Sequence, residues 1–300
     1  MRNLLILLVC IFINVTNTSA GAYRHDTPIE KYLELAAHDE FSGVGRTFRF
    51  RDKVWVPAGT CILIDSIHIL TAAHTLIREL KKDTTVDYNG YKVKTYIVTG
   101  RLASDPSEFW FLVNNQYAKA KKIQIYPDYL KDNGKEAYDI ALITLQKPIK
   151  SISIKLNRDL DELHDTVTGV GYGASAPGNT GELAQGYNIK LAGQNIIDSI
   201  GGIMRNNVPA IMYADFDSPD RSCACNKLGD NVALPFEYGP LGGDSGSPLF
   251  RERNGVLELV GILTGSDSSI PKNLKKTGYY GMINWWVRIA AFYDWIEANK

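Results

Sequence analysis

The feature that most constrains the fold is a long series of short strand-like segments after Gly43. Each segment runs for about four to nine residues and is bounded by Gly, Pro, Asn or Asp. Strands do not alternate with long helical patterns and no repeat period is present, which argues against parallel βαβ folds and repeat arrays. The pattern is typical of an all-β antiparallel barrel or sandwich. The predicted strands cover residues 47–50, 54–56, 60–64, 67–70, 91–98, 109–113, 123–126, 137–145, 166–170, 211–216, 257–264 and 278–283.

Helical patterns are confined to a few places. One short helix is predicted over residues 29–37 and another over 72–80. Near the C-terminus, one stripe with a period of about 3.6 residues contains Trp286, Ile289, Tyr293 and Ile296. We therefore expect a terminal helix that packs one face against the body of the protein.

The first twenty residues have the pattern of an export signal. Arg2 is followed by an unbroken apolar run over residues 4–13, and small residues lead to Ala20. This run is too short to cross a bilayer, which needs about 20 residues. We expect residues 1–20 to be removed, which predicts a secreted or periplasmic protein; an uncleaved N-terminal anchor is the alternative. No other run is long enough to cross a membrane, so we expect no membrane span after signal removal.

The charge balance argues against one class of partner. The chain has 33 basic and 33 acidic side chains, so its formal net charge is zero. A protein that binds nucleic acid by neutralising phosphates needs an excess of Lys and Arg, and no basic tract supplies one here. We expect no nucleic-acid partner.

Three cysteines follow the predicted signal, namely Cys61, Cys223 and Cys225. Export to an oxidising compartment favours disulfide formation, and the odd number leaves one thiol over. Cys61 could pair with either of the other two, or Cys223 and Cys225 could close a small ring. A metal site would need more ligands than this group offers, so we expect no metal and no cofactor.

Three blocks of sequence carry residues with catalytic chemistry. His74 follows a strand and a turn of small residues, and an imidazole can take up and return a proton near neutral pH. Asp139 opens an apolar strand, where a buried carboxylate needs a hydrogen-bonded partner such as a histidine. Ser245 lies between glycines, which let backbone N–H groups approach a substrate closely. His74 or Asp139 alone would more often be structural; the block around Ser245 is the specific one.

Taken together, these blocks resemble the trypsin/chymotrypsin-like serine peptidases. Residues 71–74 read Thr-Ala-Ala-His, 139–142 read Asp-Ile-Ala-Leu and 243–248 read Gly-Asp-Ser-Gly-Ser-Pro, in the order of that family. Residues 22–26 and 191–195 are similar to its secreted bacterial branch. The resemblance implies two antiparallel six-stranded β-barrels with a C-terminal α-helix. The implied segments are a signal at 1–20, a lead segment at 21–42 and a peptidase domain at 43–300, with its first barrel at about 43–150, its second at about 151–285 and its terminal helix at about 286–298.

The same resemblance implies a role for each residue of the blocks. Ser245 attacks a peptide carbonyl, His74 accepts and returns its proton, and Asp139 orients His74. The N–H groups of Gly243 and Ser245 hold the oxyanion. The implied protein is a monomeric serine endopeptidase that acts on polypeptide substrates.

The substrate pocket is implied at positions close to the nucleophile. Gly239 stands six residues before Ser245, where the family has the residue at the base of its pocket. Thr264, Gly265 and Ser266 form the matching wall. Because Gly239 carries no charge, a preference for neutral or apolar side chains is favoured over one for Lys or Arg, and a preference for Glu stays open as an alternative.

The sequence leaves two questions open. In the family, a new N-terminal ammonium often pairs with the aspartate before the nucleophile, here Asp244, but no matching cleavage motif is present. A cleavage near Ser42 or another donor could serve Asp244. The alternative function is a catalytically silent binding or scaffold protein on the same fold. The order histidine, aspartate, serine and the presence of Ser247 where a glycine is needed argue against an α/β-hydrolase.

Overall fold

The computed structural model describes residues 21–88, 90–131, 136–181, 189–267 and 278–300. The predicted export signal, residues 1–20, lies outside this part of the chain. Within it, β-strands dominate and a few short helices accompany them.

The strands follow one another from the start of the described chain to its C-terminal helix. They are β1 (Gly21–Tyr23), β2 (Val44–Arg51), β3 (Val54–Leu63), β4 (His68–Thr71), β5 (Ile77–Tyr88), β6 (Tyr91–Ala103), β7 (Phe109–Val113), β8 (Gln116–Ile125), β9 (Ala141–Leu145), β10 (Lys155–Leu156), β11 (Thr166–Gly171), β12 (Ser175–Pro177), β13 (Leu191–Ile196), β14 (Ser199–Arg205), β15 (Val208–Asp215), β16 (Tyr238–Gly239), β17 (Pro248–Arg253), β18 (Val256–Asp267) and β19 (Ile283–Arg288). The α-helices are α1 (Ile29–Ala36), α2 (Pro127–Lys131) and α3 (Ile289–Asn299), and 3-10 turns cover Asp39–Phe41, Ala73–Leu76, Pro106–Glu108 and Glu136–Tyr138.

Strands from the first half of the chain form a closed antiparallel barrel in the order β2-β3-β4-β9-β8-β7. Successive side chains of a strand point to opposite faces. In β7, Phe109 and Phe111 are buried inside the barrel, whereas Trp110 between them faces outward and is half-buried. The alternation gives the barrel an apolar interior and leaves its outer face available for other contacts.

Strands from the second half form one sheet in the order β13-β11-β17-β18-β19-β15-β14, with β10 beside β18. Neighbours along this path are antiparallel, and β10 runs parallel to β18. The predicted all-β fold class is confirmed, with a closed six-stranded barrel and a C-terminal α-helix. In place of the second predicted six-stranded barrel, the described residues form this eight-stranded sheet.

An apolar cluster joins the barrel to the second sheet. Ile62 and Leu142 of the barrel belong to it together with Phe250 and Ile262 of the sheet. Phe292 of α3 lies in the same cluster, so the terminal helix docks on the sheet. Full burial of such a side chain stabilises the fold by roughly 1.5–3 kcal/mol. The cluster therefore fixes the two halves relative to each other and brings their loops to one boundary.

The lead segment contains a buried strand in addition to the predicted helix. β1 lies between β12, to which it is parallel, and β16, to which it is antiparallel. Ala22 in β1 is fully buried in an apolar cluster with Phe216, Leu241 and Met282. Hydrogen bonding on both edges supplies partners for the backbone of this short strand.

The predicted helix over 72–80 is wrong beyond its first turn. Ala73–Leu76 forms a 3-10 turn, and Ile77 begins β5. The physical reason is the partner strand: β5 pairs with β6 from Ile77 opposite Ala103 onward. This ladder satisfies the backbone polar groups that a helix would otherwise satisfy internally.

The terminal helix starts later than its predicted residue 286. Trp286 lies in β19, where it pairs with Leu263, and α3 begins at Ile289. The indole of Trp286 packs in the core of the second sheet, which explains its apolar character without a helix. The strand predicted over 278–283 is displaced as well, because β19 begins at Ile283.

One of the open cysteine pairings is realised. Cys223 and Cys225 form a disulfide that closes a small ring. Cys61 is a free cysteine in the barrel core, and burial raises the pKa of its thiol to about 12. A thiol that stays protonated is a small apolar core residue rather than a nucleophile.

Candidate active site

His74 lies at the boundary between the barrel and the second sheet. It follows β4 and belongs to the 3-10 turn Ala73–Leu76, and its side chain is 34% exposed. The ring nitrogen Nδ1 lies 2.6 Å from Oδ2 of Asp139, and the backbone N–H of His74 donates to Oδ1 of Asp139 at 2.8 Å. Both oxygens of one carboxylate therefore hold the same histidine, one through the ring and one through the main chain.

Asp139 precedes β9 and is only 2% exposed. In addition to its two contacts with His74, its Oδ2 accepts a hydrogen bond of 2.5 Å from the hydroxyl of Thr264. Burial tends to lower the pKa of the His74 imidazole, but the charge of Asp139 and the hydrogen bond to it outweigh burial and raise that pKa. This arrangement stabilises a protonated imidazole beside a buried carboxylate.

The loop that carries Ser245 is fixed to both halves of the molecule. The backbone N–H of Thr60 donates to the carbonyl of Ser245 at 2.9 Å, and the Thr60 hydroxyl donates to the carbonyl of Gly243 at 3.1 Å. The N–H of Gly246 donates to the carbonyl of Leu263 in β18 at 2.9 Å. The loop is therefore held by β3 on one side and by β18 on the other.

Gly246 explains why a glycine follows the candidate nucleophile. Its φ is +83°, and a Cβ built on it would lie 2.0 Å from Oγ1 of Thr71 and 2.8 Å from the backbone N of Ala72. Only a residue without a side chain lets this loop lie against the end of β4, close in sequence to His74. Within the described residues, no hydrogen bond joins the hydroxyl of Ser245 to His74.

Backbone donors are present next to Ser245. Gly243 has a φ of +97°, and within the described chain the N–H groups of Gly243 and Ser245 donate to no carbonyl of the protein. Gly243 also lines a cavity of about 160 Å³ at the boundary of the two halves. These N–H groups are thus available to an acceptor outside the protein. The other residues around the cavity are Arg46, Pro57, Ala58, Gly59 and Tyr172.

Asp244 is fully buried beneath the same loop. Its Oδ1 accepts from the N–H of Gly173 at 2.7 Å, and its Oδ2 accepts from the N–H of Leu241 at 2.9 Å and from the Tyr238 hydroxyl at 3.2 Å. Burial raises the pKa of Asp244 to about 6, because these donors are neutral and only partly offset the loss of water. In the uncleaved chain, a tyrosine hydroxyl and backbone N–H groups therefore hold Asp244.

Gly239, the predicted base of the substrate pocket, is buried in β16. A Cβ built on it would lie 2.8 Å from Cε of Met282 and 3.2 Å from Cβ of Phe216. These neighbours belong to the apolar cluster that contains Ala22 of β1. The surroundings of Gly239 are therefore apolar.

The predicted wall residues lie in β18 opposite β19. Gly265 pairs with Trp285, and a Cβ on Gly265 would lie 2.9 Å from the indole ring. Ser266 is exposed and pairs with Asn284. The side chain of Thr264 is directed to Asp139. Residues 268–277, which follow this strand, lie outside the described residues.

Two side chains take part in this site in ways that sequence reasoning missed. The sequence predicts Thr264 in the pocket wall, but its hydroxyl contacts Asp139. No sequence motif marks Tyr238, but its hydroxyl contacts Asp244. The signals in the sequence were weak. Thr264 offers a hydroxyl in a predicted strand close to the candidate site, and Tyr238 stands out only because it precedes Gly239 in the sequence.

Across the described residues, no group of three or more His, Cys, Asp or Glu side chains has the arrangement to hold a metal ion. None of the helices in the described segments has the length and apolar character to span a membrane.

The sequence of this chain is similar to those of known proteins. The family model described as Trypsin matches residues 47–296. The urokinase-type plasminogen activator of Gallus gallus is 25% identical to this chain over 248 residues, which is 79% of this chain and 49% of the relative. The chain therefore spans about half the length of that relative.

Proposed function

The chain belongs to the trypsin family, and we propose that it is a secreted serine endopeptidase in which His74, Asp139 and Ser245 carry out catalysis. The observation that carries the proposal is the double contact of Asp139 with His74, through ring Nδ1 and backbone N–H. When Nδ1 donates to the carboxylate, the other ring nitrogen, Nε2, is left as an acceptor for the proton of Ser245. The family match supports the same assignment.

In this mechanism Oγ of Ser245 attacks the carbonyl carbon of a peptide bond while Nε2 of His74 takes the hydroxyl proton. The carbonyl oxygen becomes negatively charged, and the N–H groups of Gly243 and Ser245 stabilise it. His74 then gives its proton to the leaving amine, which departs as the acyl-enzyme forms. A water molecule repeats the sequence with His74 as base, and Ser245 is regenerated.

The charge of Asp139 matters at the step where His74 is protonated. The raised pKa of His74 means that the imidazolium formed during attack is stabilised by the adjacent carboxylate. Asp139 in turn is fixed by the Thr264 hydroxyl. The absence of a hydrogen bond between Ser245 and His74 among the described residues is compatible with this role, because catalytic hydrogen bonds often tighten only when substrate is bound.

The proposal includes a preference for a neutral or apolar side chain before the cleaved bond, because Gly239 itself carries no charge, although the structure packs it in the apolar core. Met282 and Phe216 lie against Gly239, and neither carries a charge that would pair with Lys or Arg. A cleavage profile on a peptide library tests this: uncharged residues should dominate at that position. A profile dominated by Lys and Arg would contradict it.

The proposal includes removal of residues 1–20, with Gly21 as the new N-terminus. The N–H of Gly21 donates to the carbonyl of Ala174, next to the Gly173 N–H that binds Asp244. A Cβ on Gly21 would lie 2.0 Å from the ring of Tyr238, whose hydroxyl also binds Asp244. Cleavage there would bring an ammonium group close to Asp244. The likeness of residues 22–26 and 191–195 to the secreted bacterial branch supports export of this kind, and N-terminal sequencing of the exported protein tests it.

Labelling with a fluorophosphonate probe, followed by mapping of the modified peptide, tests the catalytic proposal. The probe reacts only with an activated serine, so the wild type should be labelled at Ser245 and Ser245→Ala should not. Ser247→Ala is the matched control, because it removes a nearby hydroxyl and should still be labelled. If the wild type is folded but is not labelled, the alternative of a catalytically silent scaffold protein is favoured. This alternative is worth testing because no hydrogen bond joins Ser245 to His74 among the described residues.

A further inference from the structure

Strands β5 and β6 form a long ribbon that stands apart from both the barrel and the second sheet. Among the described residues, the two strands pair only with each other, from Ile77 opposite Ala103 to Tyr88 opposite Tyr91. A two-stranded hairpin on its own is marginally stable in water, because neither of its faces is covered. The catalytic proposal gives this ribbon no function, so its faces were compared for what they could bind.

One face of the ribbon is apolar and open to water. Residues directly opposite each other in an antiparallel pair share a face, and the next pair along points to the other side. Of the large apolar and aromatic side chains that the structure describes as exposed on this ribbon, all except Tyr96 lie on one side. We name this side the apolar face. Its side chains are 43% to 75% exposed and belong to Leu80, Val86, Tyr91, Val93, Ile97 and Leu102.

The apolar face is large enough for a specific contact. It is about 36 Å long, since each residue of a strand adds about 3.3 Å. Its exposed apolar area is on the order of 600 Å², the upper end of what a soluble monomer shows in one patch. A stable interface buries roughly 800 Å² on each partner, and the polar side chains on the same face contribute to that area. These polar residues are Lys82, Thr84 and Thr95.

The charges on the other side of the ribbon argue against a lipid surface as the partner. An anionic membrane attracts clusters of basic residues. Here basic and acidic residues are mixed: Arg101 lies 3.4 Å from Glu79, and Lys92 is paired in register with Asp87. A protein surface that is itself apolar is therefore the better match.

The order of residues along the apolar face makes it complementary to itself, as the interface of a symmetric dimer must be. A twofold axis that crosses the strands between Lys82 and Thr84 places two ribbons antiparallel, with β5 over β5 and β6 over β6. Leu80 of one copy then lies over Val86 of the other. Gly100, beside Leu80, has no side chain, and Val93 of the second copy occupies the space above it.

The remaining positions of the face also match in this arrangement. Leu102 at one end lies over the ring of Tyr91 at the other end of the second copy. Near the axis, the Lys82 ammonium lies over Thr84, whose hydroxyl is an acceptor. The other basic residue of this side, Arg78, already binds Glu108 at 3.0 Å, and its two copies lie at opposite ends of the dimer.

We propose that two copies of this chain form a dimer by packing the apolar faces of their β5–β6 ribbons against each other. The two ribbons run antiparallel and lie about 10 Å apart, as packed sheets do. This dimer takes the place of the monomer that the family resemblance implies, and it does not depend on catalysis. Because β5 begins directly after the turn Ala73–Leu76, which contains His74, the two candidate active sites lie at opposite ends of the paired ribbons.

Analytical ultracentrifugation of the exported protein over a series of concentrations tests this. The wild type should sediment as a dimer, and Val86→Glu should raise its dissociation constant by about 100-fold or more, because the twofold axis brings the new charge into the apolar contact twice. Thr85→Glu is the matched control. It adds the same charge at the neighbouring residue, which is exposed on the opposite side of the ribbon, and should leave the dimer intact.

A mixture of two variants tests the antiparallel arrangement and guards against damage to the fold. Leu80→Lys should be monomeric, as should Val86→Glu, and both should keep the circular dichroism spectrum of the wild type. When the two are mixed in equal amounts, the new ammonium of one chain faces the new carboxylate of the other. The mixture should therefore form dimers again, which unfolded chains cannot do.

Three results would overturn the proposal. The first is a wild type that stays monomeric up to about 100 μM, where even a weak interface would form. The second is a control variant, Thr85→Glu, that dissociates as strongly as Val86→Glu, and the third is a mixture that remains monomeric. A monomeric wild type that binds phosphatidylserine vesicles, with binding lost in Val86→Glu, would assign the face to a lipid surface instead. These measurements do not use labelling at Ser245, so failure of the peptidase function leaves them unaffected.

Discussion

Asp139 and Asp244 are both buried carboxylates at the candidate active site, but they are satisfied by different partners. Asp139 accepts hydrogen bonds from the ring and main chain of His74 and from a threonine hydroxyl. Asp244 accepts from two backbone N–H groups and from the Tyr238 hydroxyl. One set of donors contains a group that can become positively charged, and the other set is neutral.

This difference determines what each carboxylate can do. The charge of Asp139 raises the pKa of His74, so the two groups are coupled through a proton. Asp244 has no such partner among the described residues, and burial raises its own pKa to about 6. We infer that Asp139 acts on the chemistry, whereas Asp244 holds the loop that carries Ser245.

The largest effect is expected for Asp139→Asn. The asparagine amide has an N–H₂ group in place of one carboxylate oxygen, and an N–H₂ group cannot accept a hydrogen bond. The ring of His74 is then no longer held with Nδ1 as the donor, so Nε2 is no longer kept free to accept the proton of Ser245. We expect kcat/KM to fall about 10⁴-fold, with a folded protein by circular dichroism. Steady-state kinetics on a peptide substrate measures this. A loss smaller than tenfold would mean that Asp139 is structural, like Asp244.

The pH dependence of stability tests the second carboxylate. The pKa of Asp244 in the folded protein, about 6, lies above its ordinary value of 3.8, so the native state holds the proton more tightly than the unfolded chain does. The free energy of unfolding should therefore decrease as the pH rises from about 4 to about 6, by up to about 3 kcal/mol, since each pKa unit corresponds to about 1.4 kcal/mol. Asp244→Asn removes this contribution. Urea denaturation of both proteins at several pH values gives the difference between them.

The N-terminus provides the control for this measurement. A protein that keeps extra residues before Gly21 has only the neutral donors at Asp244 and should show the full decrease. A protein that begins at Gly21 adds an ammonium near the carboxylate, which lowers its pKa and should reduce the decrease. If the two proteins behave alike, the N-terminus does not reach Asp244, and the proposal for Gly21 is wrong.

Predictions from the sequence were right where the local pattern of residue types is enough to determine the structure. Strand β7 was predicted at its observed bounds because Phe109 to Val113 is a short apolar run that ends at two asparagines. They were wrong where pairing with a distant strand determines the structure. Residues after Ile77 have a helix-like pattern, but pairing with β6 holds them as a strand. The contact of Asp139 with His74 could be anticipated because a buried carboxylate needs a donor. Nothing in the sequence indicated that Tyr238 would supply one to Asp244, because that contact depends on how β16 is placed.

The smallest effect is expected when Asp139 loses the hydrogen bond that it accepts from the Thr264 hydroxyl. Thr264→Val keeps the shape of the side chain but removes the hydroxyl that binds Oδ2, so Asp139 loses one of three hydrogen bonds and holds His74 less firmly. We expect kcat/KM to fall by about tenfold, the size of one hydrogen bond to a charged group. Thr264→Ser keeps the hydroxyl and should retain most of the activity. Equal losses in the two variants would mean that packing by the threonine methyl, and not its hydrogen bond, matters here. Asp139 would then depend on His74 alone, and its donor set would resemble that of Asp244 even less.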